Sequence, residues 1–319
     1  MGQYMLRRTL VAIPTLLIIS AVVFFILALA PGDPLAEFAA NPAVPPEVRE
    51  NIRRSFGLDQ PVPVQYVRWL TSLLTGDWGF SFASRMPVLQ LISQRLPQTL
   101  QVAGIAYLIG LVIAIPVGII SAVKQYSIFD NIATTFAFVG FSVPAFFTGT
   151  LFILLFSIRL GWFPFIYDST LKVTDLASLQ KMALQLTLPV SVLAVQQFGQ
   201  LARFMRSSML DNLPQDYVRT ARAKGLAEQL VVMRHVLRNS MIPVVTLIAL
   251  SIPTIFGGAI ITENLFRVNG IGALLITSIN SNDTPVVMAI TFIFAILTVF
   301  FNLVADLLYG VLDPRVRFS

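Results

Sequence analysis

Cysteine is absent from this 319-residue chain, histidine occurs once, lysine four times, and only 12% of the residues are charged. Without cysteine there is no disulfide framework and no thiol chemistry. A lone histidine, His235, makes neither a metal site nor a triad; a hydrogen-bonded place at a surface or interface accounts for it. None of the four lysines follows a glycine. The chain therefore lacks a G-x-x-x-x-G-K-[ST] phosphate loop, and nucleotide hydrolysis would have to sit on another chain. The net charge of +6 comes with no nucleic-acid-binding motif.

What is plentiful is apolar surface: 56% of the residues are hydrophobic and mean hydropathy is +0.78. A soluble domain averages about 45–50% apolar and about 25% charged, so the composition places the chain in a membrane. Crossing the hydrocarbon takes about 20 apolar residues. Six runs meet this: 9–30, 97–122, 132–157, 184–202, 241–261 and 286–310. The fourth is the weakest, with Gln185, Gln196, Gln197 and Gln200 in or near it. Continuous runs without alternation predict helices and not barrel strands. Pro14, Pro116, Pro144, Pro189, Pro243 and Pro253 fall inside them, where bundled helices accept kinks. The fold class predicted is an all-α integral membrane protein with six transmembrane helices.

Orientation follows from Lys and Arg beside the spans. With the N-terminus inside, the inner segments hold 12 of the 22 cations: Arg7, Arg8, Lys124, Arg203, Arg206, Arg219, Arg222, Lys224, Arg234, Arg238, Arg315 and Arg317. Six of the outer ten lie in the segment 31–96, too long to weigh heavily in that rule. Both termini are thus expected in the cytoplasm of a multi-pass inner or plasma membrane protein. Ala28-Leu29-Ala30 after a basic start has the form of a signal-peptide cleavage site, but the apolar run is longer than the about 7–15 residues of such signals. An uncleaved first span is expected.

The chain divides into 1–30, an outer segment 31–96, a five-helix core 97–310 with a cytoplasmic loop 203–240, and a tail 311–319. The outer segment is too long for a plain connection and reads as two short amphipathic helices. One carries Val48, Ile52 and Phe56 on one face and ends at Gly57. The other carries Val64, Val67 and Leu70 or Leu74 and ends at Gly76. They form either a lid on the bundle or a docking surface for an outer partner. In the inner loop, Pro214 and Gly225 suit the start and end of a short helix. On it Val218, Ala221 and Gly225 make a ridge of small residues beside Arg219 and Arg222, a shape for a groove in another protein. Candidate path residues are Gln196, Gln197 and Gln200, and Glu263 at the outer end of the fifth span; interhelical hydrogen bonding is the plainer account of the glutamines. Asp306 is expected to pair with an arginine.

"DYVRTARAKGL" (216–226) and "HVLRNSMIPVV" (235–245) resemble the cytoplasmic loop of permease subunits of ATP-binding-cassette importers. The likeness is to the first permease subunit of the dipeptide/oligopeptide/nickel importers. It continues through "LAPGDP", "FGLDQPVPVQYVRWL", "GDWGFSF", "RLPQTLQVA", "GFSVPAFFTG", "LTLPVSVLA", "GGAIITENLF" and "YGVLDPRVR", covering the chain in order. The resemblance implies the type I importer permease fold and a coupling helix at 214–225 that docks in a cleft of the ATPase. Tyr217, Val218, Arg219, Ala221, Arg222, Ala223, Lys224 and Gly225 would make that contact. Against the general E-A-A-x-x-x-G pattern, Arg219, Thr220 and Ala221 stand at E-A-A and Gly225 at the glycine. His235 and Leu237 follow, and Arg238 replaces the later proline. Close approach at Ala221 and Gly225 carries over; a charge-specific contact by Arg219 does not follow.

The implied partners are a homologous second permease, two cytoplasmic ATPase subunits, an extracytoplasmic binding protein and the lipid bilayer. No cofactor is expected on this chain; ATP and Mg belong to the ATPases. Family substrates are peptides, nickel chelates and glutathione-like molecules, and the lack of cysteine and membrane-embedded histidine argues against a bare transition-metal ion. A secondary transporter would need ion-binding carboxylates at mid-membrane, and an intramembrane enzyme would need paired catalytic groups; the span centres hold neither.

Overall fold

A computed structural model describes residues 2–29, 45–55 and 57–312. Phe56, the cleavage-like Ala30, most of "LAPGDP" and the end of "YGVLDPRVR" lie outside the described residues, as do the side chains of Val48 and Ile52. The helices are α1 (Gly2–Leu29), α2 (Pro46–Ser55), α3 (Val62–Leu74), α4 (Val88–Val123), α5 (Ile128–Ser142), α6 (Ala145–Arg159), α7 (Leu176–Asn212), α8 (Asp216–Ala223), α9 (Glu228–Leu265), α10 (Ile271–Asn280) and α11 (Thr284–Leu312). Five are long and apolar enough to span a membrane alone: α1, α4, α7, α9 and α11. Counted as one broken span, the pair α5 and α6, bent by 106°, makes the sixth. Its break is written in "Val143-Pro144". A proline pushes the residue before it out of the helical region, and Val143 is extended at φ −83°, ψ 126°. The third span is therefore two half-helices, not the kinked single helix that the run of apolar residues predicts.

α7 is the centre of the bundle. Half of its most apolar stretch is buried (50%), against 11% for the peripheral α1. This explains its weak hydropathy: a helix enclosed by protein has little lipid to match. α1 instead shows Leu10, Val11, Ile18 and Ile26 outward. α7 packs α4 and α5 through glycines. A Cβ on Gly118 would stand 2.8 Å from Ala202 O, and one on Gly199 only 2.4 Å from Ala137 O. Small residues are what allow membrane helices to approach this closely.

At the end of the bundle away from α8, both short amphipathic helices form, with Gly57 (φ +66°) and Gly76 (φ +88°) at their exits. The face of α3 differs from the sequence expectation. Val64, Val67 and Leu74 are exposed, while Leu73 is buried. The Tyr66 ring packs 5.4 Å from that of Phe24, and Trp69 lies 5.8 Å from Phe292. Tyr66 Oη also shares a 2.9 Å hydrogen bond with Ser20 Oγ of α1. Aromatic contacts with α1 and α11 thus outweigh the apolar period. α10 is an element the sequence reading did not find. The loop before α4 is tied to its far end: the Asp283 carboxylate accepts from Ser81 Oγ and from Phe82 N at 3.0 Å.

Candidate functional site

Two parts of the bundle hold the residues singled out by sequence. The first is α8, bounded by Gln215 before it and Lys224 after it. Gly225 follows at φ +75°, a conformation that favours glycine, and its N–H donates to Arg222 O at 2.9 Å. A Cβ there would meet nothing within 4 Å. Helix and glycine stop are therefore where the spacing put them, but two of the three small-ridge residues, Val218 and Ala221, face inward while Gly225 stays exposed. Val218 is 0% and Ala221 4% exposed. Both belong to the same apolar cluster as Val231, Val232 and Val236 at the start of α9. The apolar strip of a short amphipathic helix buries itself against its own bundle, so Ala221 is not open to a partner as expected.

The outward face of α8 is polar: Tyr217, Arg219, Arg222, Ala223, Lys224 and Gly225 are exposed. Tyr217 Oη donates to Asn212 Oδ1 at 2.7 Å, and Arg219 lies 3.6 Å from Asp216. Arg222 is not a free rim cation. Its Nε and Nη2 donate to Glu228 at 3.0 and 2.6 Å, closing the turn into α9. That hydrogen-bonded carboxylate holds the Arg222 guanidinium above its ordinary range. His235 is half-buried in the first turns of α9.

The second part is a cavity of about 220 Å³ among α4, α5, α7 and α9. Gln196, Gln197 and Gln200 of α7 line it, with Tyr107, Phe141 and Thr254 from the neighbouring helices. The three glutamines fall on one side of α7 because 196 and 200 are one turn apart. Tyr107 and Thr254 were missed by sequence; hydroxyl-bearing residues inside apolar runs were the signal. Tyr107 Oη donates to Ile248 O at 2.6 Å, which links α4 to α9.

Glu263 does not join the glutamines. It is 0% exposed and accepts from Thr99 Oγ1 at 2.6 Å and from Ala273 N at 3.1 Å. Thr99 Oγ1 in turn accepts from Ile271 N at 2.8 Å. The tight connection 266–270 folds α10 back so that its first turn presents N–H groups to the carboxylate, the end of a helix where negative charge is favoured. Glu263 is thus a cap joining α9, α10 and α4. Asp306 pairs with Arg8 at 3.3 Å, as expected.

Residues 114–318 match the model of the family described as binding-protein-dependent transport system inner membrane component, and residues 1–103 match the N-terminal model of such membrane components. The chain is 41% identical over 319 residues to the oligopeptide transport system permease protein AppB of Bacillus subtilis (strain 168), covering 100% of both. It is 40% identical to the glutathione transport system permease protein GsiC of Salmonella paratyphi A, again covering 100% of both. Among solved structures, an inward-facing MetNI methionine ABC transporter superposes with a TM-score of 0.53 at 16% identity, over 71% of this chain and 98% of that one. That likeness shows the fold, which is that of ABC importer permeases. With a helical bundle of five unbroken spans and one broken span, and with both family models matched in order along it, this chain belongs to the binding-protein-dependent transport system inner membrane components: it is a permease subunit of an ABC transporter and not an enzyme.

Proposed function

We propose that the chain forms half of the translocation path of an ATP-driven importer of peptides or related small solutes, glutathione-like molecules included. The observation that carries this is the glutamine-lined cavity among four spanning helices, polar at a depth where polar groups mark solute pathways. A homologous second permease would supply the facing half. Two ATPase subunits, holding ATP and Mg, would dock on the α8 side, where Tyr217, Arg219, Ala223, Lys224 and Gly225 are presented. Val218, Ala221 and Arg222 then serve by fixing α8 to the bundle, so that a push on α8 moves α9. A binding protein would deliver solute to the α2–α3 side. Both termini and α8 lie in the cytoplasm on this reading.

Reconstituted with these partners, the complex should take up peptide with vanadate-sensitive ATP hydrolysis. Uptake driven by an ion gradient without ATP would replace this reading with a secondary transporter. Because the chain has no cysteine, sidedness can be read directly. An impermeant thiol reagent outside intact cells should label Gln60→Cys and not Lys224→Cys, and the reverse pattern would invert the topology.

A further inference from the structure

The cavity has an unusual polar inventory. Side-chain amides dominate it, Tyr107 and Thr254 add hydroxyls, and no carboxylate, ammonium or guanidinium lines it. A primary amide carries a carbonyl acceptor and N–H donors, the same complement that a peptide unit offers. None of the amides of Gln196, Gln197 and Gln200 has a hydrogen-bond partner among the described residues. Gln196 and Gln197 are half-buried and Gln200 is exposed, so these amides can exchange water for the hydrogen-bonding groups of a solute that enters the cavity. At about 220 Å³ it is smaller than the about 300–1,000 Å³ that encloses a small ligand. It therefore has the size of one side of a site. Outside that lining, the Arg203 guanidinium, one turn beyond Gln200, lies 4.9 Å from the ring centre of Phe141.

Resting on the translocation reading above, we infer that this is a backbone-reading site. It takes peptides by hydrogen bonds between the glutamine amides and peptide groups, with no selection by side-chain charge. A neutral lining gives a passing Lys or Glu side chain no counter-charge to hold and no like charge to repel it. A ligand recognised through its charges would need a fixed ionic partner, as paired buried charges do.

The test uses the assembled importer with its binding protein. The probes are trialanine, its variants with Lys or Glu at the central position, and the depsipeptide in which an ester replaces the amide between the second and third residues. Binding of each probe to the binding protein is measured first, and uptake is compared at equal saturation. Gln197→Leu and Gln200→Leu should slow uptake of all three peptides by the same factor, about two- to tenfold per variant. Gln200→Glu should separate the peptides by charge and favour the Lys variant. The depsipeptide, lacking one N–H donor, should cross more slowly in the unaltered complex, a comparison that decides even where a variant does not assemble. Losses in the leucine variants that depend on central charge, no loss at all, or a depsipeptide as fast as trialanine would each overturn the inference while leaving peptide transport standing. Failure of the unaltered complex to take up any peptide would instead remove the translocation reading itself.

Discussion

Arg206 grips Asp130 with both sides of its guanidinium: Nε donates to Oδ1 at 2.6 Å and Nη2 to Oδ2 at 2.7 Å. The pair ties the first turn of α5 to α7. Asp130 is 2% exposed and Arg206 22%. Removing one partner of a buried pair costs about 3–5 kcal/mol, and the partial exposure of Arg206 puts Asp130→Ala near the lower figure. Thermal unfolding of the purified complex should show a lower Tm for Asp130→Ala, and Asp130→Asn/Arg206→Gln should recover part of the loss. A double variant as weak as the sum of the singles would mean that the pair does not couple the helices.

Gly270 and Glu263 form a steric couple. A Cβ on Gly270 would lie 2.2 Å from Glu263 Oε1, and the backbone at Gly270 has an ordinary φ of −93°. Gly270→Ala should therefore act through the carboxylate alone, costing about 1–3 kcal/mol as overpacking does. In a Glu263→Ala background the same change should cost far less, a non-additivity expected of touching residues. Additive losses in a stability cycle would contradict the contact.

Gly225 stands in open space, so crowding does not limit substitution on this chain. Its positive φ does. Gly225→Asn should be nearly neutral, since Asn tolerates the left-handed region, whereas Gly225→Val should cost about 1–2 kcal/mol locally and loosen the exit of α8. Hydrogen exchange across 216–228 reads that difference. Equal protection in the two variants would show that the left-handed turn is not what holds α8.

On α3 the face that packs is the aromatic one. Trp69→Ala should destabilise the α1–α3–α11 contact by about 2–3 kcal/mol, below the full core value because the ring is partly exposed. Val67→Ser, at a position 57% exposed, should be within about 0.5 kcal/mol of wild type in water-exposed surroundings. The opposite ranking in thermal denaturation would restore the face predicted from periodicity.

Much of this architecture was legible in sequence because its causes are local. Span lengths follow from runs of apolar residues. α8 follows from Pro214 and Gly225, and the outer helices from Gly57 and Gly76. The parts that were not legible depend on distant partners. The inward turn of Val218 and Ala221 is decided by the valines at the start of α9. The place of Glu263 is decided by Thr99, 164 residues away. α10 was hidden because a helix of ten residues is too short to register as a span. The break at Val143-Pro144 was visible in the dipeptide, but a proline inside a long apolar run is equally compatible with a kink. The spacing of Gln196 and Gln200 puts them one turn apart on α7, and interhelical hydrogen bonding was the plainer expectation for the glutamines. That they line a cavity, and do not bond to neighbouring helices, took coordinates to establish.

The burial of α7 has a consequence for how the chain is made. Its most apolar stretch has a hydropathy of 1.2, against 2.9 for α1 and 2.5 for α4. A segment this polar partitions poorly into lipid by itself, since amides in hydrocarbon need partners. Its insertion is then a cooperative event: α4, already emerged from the ribosome, offers the glycine-lined groove that α7 needs. Glycosylation mapping of nascent chains should find α7 inserted efficiently behind native α4 and inefficiently when Gly110 and Gly118 are both changed to leucine. Equal insertion in both would show that α7 enters the bilayer unaided. Membrane biogenesis and packing are in that sense one problem for this helix: the surface that later encloses it is the one that first admits it.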